Sequence, residues 1–350
     1  MIHRRRLDDG LHKPVSAGTG LVALDIVLNG RNKDHPYLWA GGSCGNVLTI
    51  LSYLGWLSYP IACLGDDNAS RIVLRDMRNW SVRTDFIFVN NKRFTPIVVE
   101  RIRNNNLTHV FEFKCPYCGS PLPRSRSIPR EMVSDIAEKM PHAQVFYVDR
   151  VSKTAISLAK TQKQHGALIV FEPHRVSTSK LFKECLSIAH VVKYSAKQIE
   201  CILFERRAPL EIQTLGAKGL RYRWENSDGE SCGWREISAL EIPELKDSAG
   251  AGDWCTAGII QVLGQDGFKS FCEATQEDLE KALMLGQGLA ALNCIYEGAR
   301  GIMYNLEKKS LESILCDLMA YRKLTRKLKK VSQEQQDFGK HLCPSCVFTR

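Results

Sequence analysis

The sequence predicts an α/β fold in three layers, with helices on both faces of a mostly parallel central sheet and a small additional β-sheet. Apolar strands alternate with amphipathic helices from residue 131 to residue 171, which is typical of a parallel sheet. Three predicted strands end in an acid, namely Asp25, Asp149 and Glu172. Because ligands of such sheets lie at the carboxyl ends of strands, these acids indicate a single crevice.

The composition is that of a globular protein. Of the 350 residues, 44% are hydrophobic and 25% are charged. No apolar run approaches about 18 residues, and the basic residues 1–6 precede no apolar segment, so we expect neither a membrane helix nor a secretory signal. A cytoplasmic location is the default, and there the 13 cysteines are expected to be thiols or metal ligands.

The net charge of +10 and the basic segment 322–330 raise the question of nucleic-acid binding. A solvated helix face explains that segment, and an anionic substrate or ATP also suits a basic chain. No basic strand carries interleaved aromatic residues, so nucleic acid is an unfavoured partner, whose binding would be steeply salt-dependent.

The first third of the chain predicts strands and helices around two glycine-bearing turns. Residues 1–17 are expected to be a flexible extension, and a buried strand follows that ends at Asp25. Gly41 and Gly42 form a turn in which backbone can approach a ligand closely. Short alternating strands over residues 85–113 predict a small β-sheet.

The segment Lys246–Trp254 carries the chemistry of the chain. Small residues fill the space between two aspartates, and an apolar helical pattern follows. The amides and dipole of such a helix N-terminus make a seat for a phosphate, with Gly250, Ala251 and Gly252 as the anion hole. Asp253 at the mouth of this seat is placed to take a proton from an attacking hydroxyl.

This segment resembles the D-T-x-G-A-G-D signature of the ribokinase-like sugar kinases of the phosphofructokinase-B type. The segments Ala40–Val47 and Cys63–Asn68 resemble two further family motifs in the expected order, so the similarity covers residues 18–304. It implies a ribokinase-like kinase domain over residues 18–306 with a β-sheet lid at 85–113. It also implies ATP and Mg²⁺ as cofactors and a homodimer formed through the lid.

The same resemblance implies how the acceptor is bound. Asp25 and Asn46 would hold acceptor hydroxyls, and Gly41 and Gly42 would leave room for the sugar. The segment Phe171–Arg175 is similar to the family's F-D-P-N-x-R motif, so Arg175 is a further candidate for contact with the substrate or a phosphate. The identity of the acceptor stays open among sugars, sugar acids and nucleosides.

The nucleotide-binding residues are implied by two weaker similarities. Val191–Gln198 resembles K-x-S-x-x-E, and Thr214–Gly219 resembles the T-x-G-x-x-G loop that contacts the phosphates. Gln198 stands where the family has a glutamate near Mg²⁺, which removes a charge from the metal site. The candidates for nucleotide binding are Lys193, Ser195, Thr214, Gly216, Gly219 and Gln287.

Two C-P-x-C pairs depart from the family pattern. Cys115 and Cys118 begin an insertion at 114–130, and Cys343 and Cys346 lie in a helical extension at 307–350. Together the pairs could form one tetrahedral zinc site. Two separate reduced pairs, a redox pair and a zinc shared between subunits are the alternatives.

The favoured function is ATP-dependent phosphorylation of a small sugar-like acceptor. Gln198, the cysteine pairs and the added C-terminal segment favour a rival, namely a catalytically weak or inactive sensor that binds a sugar or nucleoside. The intact Gly250–Asp253 segment argues against that rival, because an inactive protein has little need to keep a base at an anion hole.

Overall fold

The computed structural model describes residues 13–29, 36–103, 108–197, 208–225, 233–324 and 342–348. Within these segments the strands are β1 (Val15–Thr19), β2 (Ala23–Asn29), β3 (Tyr37–Gly41), β4 (Leu57–Gly65), β5 (Ile87–Asn90), β6 (Ile97–Arg103), β7 (Thr108–Glu112), β8 (Val145–Val148), β9 (Leu168–Phe171), β10 (Val191–Ser195), β11 (Leu210–Thr214), β12 (Leu220–Trp224) and β13 (Arg235–Ile237).

The helices lie between the strands and after them. They are α1 (Ser43–Leu54), α2 (Asn68–Asn79), α3 (Val133–Lys139), α4 (Lys153–Gln164), α5 (Lys180–Ile188), α6 (Ala251–Leu263), α7 (Gly267–Cys272), α8 (Gln276–Asn293), α9 (Gly301–Asn305), α10 (Lys308–Tyr321) and α11 (Pro344–Phe348). None of the described helices is long and apolar enough to cross a bilayer.

The central sheet of nine described strands confirms the predicted fold class. Its strand order is β13-β12-β11-β10-β9-β8-β1-β4-β5. The strands from β11 to β5 pair in parallel, and only β12 and β13 at one edge are antiparallel. The carboxyl ends of the parallel strands therefore share one edge, where a ligand crevice is expected.

The two faces of this sheet are buried in two separate hydrophobic clusters. Along β8, Val145 and Tyr147 belong to one cluster, whereas Phe146 and Val148 belong to the other. This division follows from the alternation of side chains along a strand. Helices α6 and α8 pack on each other on the first face, and α4 and α5 do so on the second. The result is the predicted three-layer arrangement.

The small second sheet has the order β3-β2-β6-β7, which differs from the predicted lid. The predicted lid strand at 85–89 is instead β5, which pairs with β4 in the central sheet. This second sheet also contains β2 and β3, which precede α1 in the chain. Asp25 therefore lies in the middle of β2, opposite Trp39 and Val98, and not at a strand end as predicted.

The predicted domain boundaries shift at both ends of the kinase domain. Residues 15–17 were placed in a flexible extension, but they form part of β1 between β4 and β8. Ser16 and Ala17 are completely buried, so they belong to the core. In the C-terminal segment α10 ends at Tyr321, where a helix to residue 330 was predicted. Residues 325–341 lie outside the described part of the chain.

Candidate active site

The turn before α6 is built from small residues and held by Asp247. One carboxylate oxygen of Asp247 accepts the amide of Ala249 at 2.9 Å, and the other accepts the amide of Gly298 at 2.8 Å. Gly250 adopts a left-handed conformation with φ of 68°, and a Cβ there would lie 2.0 Å from the carbonyl oxygen of Ala299. Only glycine fits this position.

The amides of this turn are only partly available as an anion hole. The amide of Ala249 is used by Asp247, and the amide of Ala251 donates to Ser248 at 3.3 Å. In the described residues the amides of Gly250 and Gly252 have no protein acceptor. The predicted anion hole is therefore carried by these two glycine amides at the start of α6, while the alanine amides shape the turn.

Asp253 lies in the first turn of α6 and faces a cleft. Its carboxylate accepts a hydrogen bond of 2.8 Å from the Nδ2 atom of Asn46, which is on α1. Burial and the nearby Glu172 raise the pKa of Asp253 well above its usual range. A carboxylate with a raised pKa is a stronger base once it is ionised. The two residues that the sequence proposed for base and acceptor binding thus meet directly.

Lys193 lies beside Asp253. Its side chain is only 2% exposed, and its ammonium group pairs with Glu172. Glu172 also accepts hydrogen bonds from Thr256 at 2.8 Å and Tyr147 at 3.2 Å. A Cβ on Gly252 would lie 3.6 Å from the Glu172 carboxylate and 3.6 Å from the Lys193 ammonium group. This ion pair therefore lies next to the predicted anion hole.

Asp25 forms the other wall of the site, against Gly41. A Cβ on Gly41 would come within 1.9 Å of the Asp25 carboxylate, so glycine is required there. Burial raises the pKa of Asp25 to about 7, although the Arg300 guanidinium and the amide of Gly42 oppose this shift. Gly42 itself has a φ of 78°, which favours glycine.

A buried network behind Asp25 was missed by the sequence analysis. Arg300 is 1% exposed, pairs with Asp76 at 2.5 Å and donates to the carbonyl of Ala40 at 2.5 Å. Tyr304 also donates to Asp76 at 3.0 Å. These residues come from α2, β3 and α9, and no local pattern connects them. Trp254 is fully buried, and its indole nitrogen donates to the carbonyl of Ala299 at 3.1 Å.

The cleft between the sheets has a volume of about 990 Å³ and is lined by acids at its base. Asp25, Asn46, Asp149, Glu172 and Asp253 all contribute to it, so the three acids that were predicted to share a crevice do so, although Asp25 lies in the middle of a strand. Arginine side chains line another part of the same cleft, and they are Arg124, Arg126, Arg150 and Arg175.

These arginines differ in their pairing. Arg150 is bound to Asp149 at 2.7 Å. Arg124, Arg126 and Arg175 are exposed and form no ion pair with any described residue. Arg175 was predicted from the sequence, whereas Arg124 and Arg126 were not, although the insertion that holds them is rich in arginine.

The nucleotide candidates lie at the carboxyl ends of β10 and β11. Ser195 and Thr214 are register partners on these neighbouring strands. Gly216 and Gly219 have φ values of 62° and 102°, as a tight glycine loop requires. Gln287 on α8 donates to the carbonyl of Ser238 at 3.4 Å. None of these residues lines the described cleft. Gln198 lies outside the described residues.

Comparison with known proteins assigns the chain to a family. Residues 32–304 match the model of the pfkB family carbohydrate kinases. No significant match was found among curated protein sequences.

The fold is shared with solved kinases at low sequence identity. Fructokinase from Vibrio cholerae O395, bound to fructose, ADP and calcium, is 19% identical, with 86% of this chain and 99% of that chain covered and a TM-score of 0.66. Ribokinase from Arabidopsis thaliana with ribose and ATP is 16% identical, with coverages of 87% and 99% and a TM-score of 0.63. Nucleoside kinase from Burkholderia thailandensis with inosine is 14% identical, with coverages of 90% and 100% and a TM-score of 0.62. The chain therefore belongs to the pfkB family of carbohydrate kinases, phosphotransferases with an alcohol group as acceptor.

Proposed function

We propose that this protein catalyses ATP-dependent phosphorylation of a hydroxyl group on a small sugar or sugar-like molecule, with Asp253 as the general base. The position of Asp253 carries the proposal: it is a half-buried carboxylate that faces the cleft from the first turn of α6. The free amides of Gly250 and Gly252 lie in the same turn. Phosphoryl transfer needs this combination, since the base must stand where the transferring group is stabilised.

Asn46 and Asp25 would orient the acceptor. The Nδ2 group of Asn46 holds one oxygen of Asp253, which aims the base. The Oδ1 atom of Asn46 is buried and has no partner among the described residues, so it can accept a hydrogen bond from an acceptor hydroxyl. Asp25 offers a second acceptor on the opposite wall, close to the backbone of Gly41 and Gly42. The two acceptors would each hold a neighbouring hydroxyl of the acceptor molecule, which leaves the attacking hydroxyl free to donate its proton to Asp253.

The nucleotide would reach the anion hole from the side of β10 and β11. Two unpaired amides at a helix N-terminus fit a phosphate group, because they supply donors and a favourable dipole. Ser195, Thr214, Gly216, Gly219 and Gln287 are the candidates that hold the rest of ATP. Mg²⁺ bound to the phosphates would neutralise their charge, mainly through phosphate oxygens and water because Gln198 carries no charge. The homodimer through the second sheet stays a prediction.

The arginines of the cleft support an acceptor with a carboxylate or phosphate group. Arg124, Arg126 and Arg175 line the cleft without an ion-pair partner among the described residues. Guanidinium groups bind carboxylates and phosphates through paired hydrogen bonds. Besides nucleotide and metal ion, the ligands named for the three similar structures are fructose, ribose and inosine, and these three molecules carry no charge. A sugar acid or sugar phosphate therefore suits this cleft better than those ligands.

The activity is tested by ADP release with ATP and Mg²⁺ across a panel of sugars, sugar acids, sugar phosphates and nucleosides. We expect one acceptor class to turn over, and Asp253→Asn to lower kcat by about 10²–10⁴. Asp266→Asn, an exposed aspartate on the surface, is the matched control and should leave kcat unchanged. If no acceptor turns over but one raises the melting temperature, the protein is a ligand-binding sensor instead.

The charge of the acceptor is tested with Arg124→Gln combined with Arg126→Gln. For an anionic acceptor the KM of the acceptor should rise about tenfold, with the KM of ATP unchanged. The control is Arg130→Gln, an exposed arginine that does not line the cleft. A rise confined to the KM of ATP would show that the arginines bind the nucleotide phosphates, and the acceptor would then be uncharged.

A further inference from the structure

The two cysteine pairs converge on one point, although they are far apart in the sequence. The sulfur atoms of Cys115, Cys118, Cys343 and Cys346 all lie within 4.8 Å of one another. The sulfur of Cys115 is 3.7 Å from that of Cys346, and the sulfur of Cys118 is 3.9 Å from that of Cys343. The converging groups belong to a single chain, so no second subunit is needed to complete the cluster.

These separations are those of a tetrahedral metal–thiolate centre. With a metal–sulfur distance of about 2.3 Å, tetrahedral geometry places neighbouring sulfur atoms about 3.8 Å apart. Sulfur-only donor sets select zinc over the hard cations that prefer oxygen, such as Mg²⁺ and Ca²⁺. In the described part of the chain, no carboxylate or imidazole joins the cluster, so the four sulfurs make a closed site without a position for substrate.

The backbone around each pair is shaped to present its sulfurs. In the first pair the amide of Gly119 donates to the carbonyl of Cys115 at 2.9 Å, and the amide of Cys115 donates to Ser120 at 2.8 Å. Gly119 has a φ of 75°, which closes this tight turn. In the second pair the amide of Cys346 donates to the carbonyl of Cys343 at 3.0 Å. Each pair is therefore a preformed turn with both sulfurs on one side.

The cluster joins two segments that lie at least 225 residues apart in the sequence. Cys115 and Cys343 are 4% and 2% exposed, and Leu122 and Leu342 beside them pack into the main core. The first pair lies at the tip of a hairpin in which Leu122 donates to the carbonyl of Phe113. The second pair lies in the last described residues of the chain.

We propose that Cys115, Cys118, Cys343 and Cys346 bind one structural zinc ion that fastens the C-terminal segment to the hairpin after β7. Binding replaces the protons of the four thiols by Zn²⁺, and the protons go to solvent. No oxidant or reductant takes part. The proposal does not depend on the kinase activity, because the site has no open coordination position.

The hairpin that carries the first cysteine pair is directly followed by residues that line the cleft, so a zinc ion bound there would affect the cleft. The hairpin leads directly into Pro123 and Arg124, and the carbonyl of Pro123 accepts the amide of Ile97 on β6 at 3.2 Å. Residues 123–128 then line the cleft. The metal would thus hold the base of the arginine-bearing segment in place.

Metal content of the full chain, purified with reductant and without added zinc, tests the proposal. We expect one zinc per chain by elemental analysis, released when a mercurial reagent titrates the thiols. Reconstitution with Co²⁺ should give thiolate-to-cobalt charge-transfer absorption. Cys118→Ser and Cys346→Ser should each lower zinc affinity at least tenfold. Cys316→Ser, which alters an exposed cysteine outside the cluster, is the control and should retain the metal.

Three results would overturn the proposal. The wild-type chain could take up neither zinc nor Co²⁺, or it could keep zinc in Cys118→Ser and Cys346→Ser alike. A chain isolated without reductant could also show the mass loss expected for two disulfides. After reduction, its four thiols would then fail to bind a metal ion. Since Cys118 is exposed, its substitution should fold, so a negative result with this variant is informative.

Discussion

The acceptor side and the nucleotide side of the site are built in different ways. On the proposed acceptor side Asp25 and Asn46 are buried and Asp253 is half-buried, and these residues touch one another or the glycine backbone. On the nucleotide side Gly216 is surrounded by open space, and Ser195 is only half-buried. The difference teaches that the acceptor side depends on packing, whereas the nucleotide side depends on backbone conformation at strand ends. Substitutions should therefore cost far more on the acceptor side.

The largest effect is expected for Gly250→Ala. The added methyl would lie 2.0 Å from the carbonyl of Ala299 at a φ of 68°, so the turn must move. We expect a destabilisation of about 4 kcal/mol or more and loss of activity. Gly252→Ala is the matched control, because its methyl would meet only ordinary contacts at 3.6 Å. Urea unfolding measures both variants, and equal losses of stability would contradict this view of the turn.

The next largest loss of stability is expected for Asp76, which lies in the buried network behind Asp25. Asp76→Asn removes the carboxylate that pairs with the buried Arg300. An unpaired buried charge costs about 3–5 kcal/mol, so the free energy of unfolding should fall by that order. Asp266→Asn breaks an exposed pair with Lys269 and should change stability by less than about 1 kcal/mol. If the two variants were equally stable, Arg300 would have other partners in the Asp76→Asn variant, and the prediction would be wrong.

A smaller effect should appear in the pH dependence of stability. The pKa of Asp25 is about 7 in the folded protein and near 3.8 when unfolded, so the folded state holds the proton more tightly. The penalty for ionised Asp25 is absent at low pH, grows as the pH rises between these two values and is complete above pH 7. Asp25→Asn should therefore gain stability over wild type on going from pH 5 to pH 8, on the order of 2 kcal/mol.

This shift is measured by unfolding both proteins at each pH. A constant difference between wild type and Asp25→Asn would mean that the carboxylate is not penalised by burial. The same variant should also raise the KM of the acceptor more than the KM of ATP.

The smallest effect is expected on the nucleotide side. Gly216 has a φ of 62°, but a Cβ there would meet no atom within 4 Å. Gly216→Ala should cost only about 1 kcal/mol, since the strain is local to one backbone position. We expect the KM of ATP to rise a few-fold with the KM of the acceptor unchanged. A loss of stability as large as that of Asp76→Asn, which lies behind the acceptor side, would abolish the contrast between the two sides.

The parts of the site that were predictable share a local origin. The turn at Gly250, the proposed base Asp253 and the strand-end acids Asp149 and Glu172 each follow from adjacent residue types. Backbone conformation and helix N-termini depend on such local patterns, so they can be found without the fold. The C-P-x-C turns belong to the same class.

The parts that were mispredicted depend on contacts between distant segments. The short strand at 87–90 has the same alternating pattern as the lid strands, and only pairing with β4 places it in the central sheet. The same holds for Asp25, whose place in the middle of β2 follows from pairing with β3 and β6. Strand propensity does not specify the partner, so the sheet that a short strand joins is settled by tertiary packing.

The sequence alone determined the fold class, the family motifs and the place of an aspartate at the turn before α6, because these depend on short-range patterns of residues. The tertiary structure decided which groups face one another. It brought Asn46 onto Asp253, buried Arg300 against Asp76 and turned Arg124 and Arg126 into the cleft. It also gathered four cysteines from two segments that lie at least 225 residues apart in the sequence. The physical reason is that burial and close approach of distant side chains are properties of the packed chain as a whole.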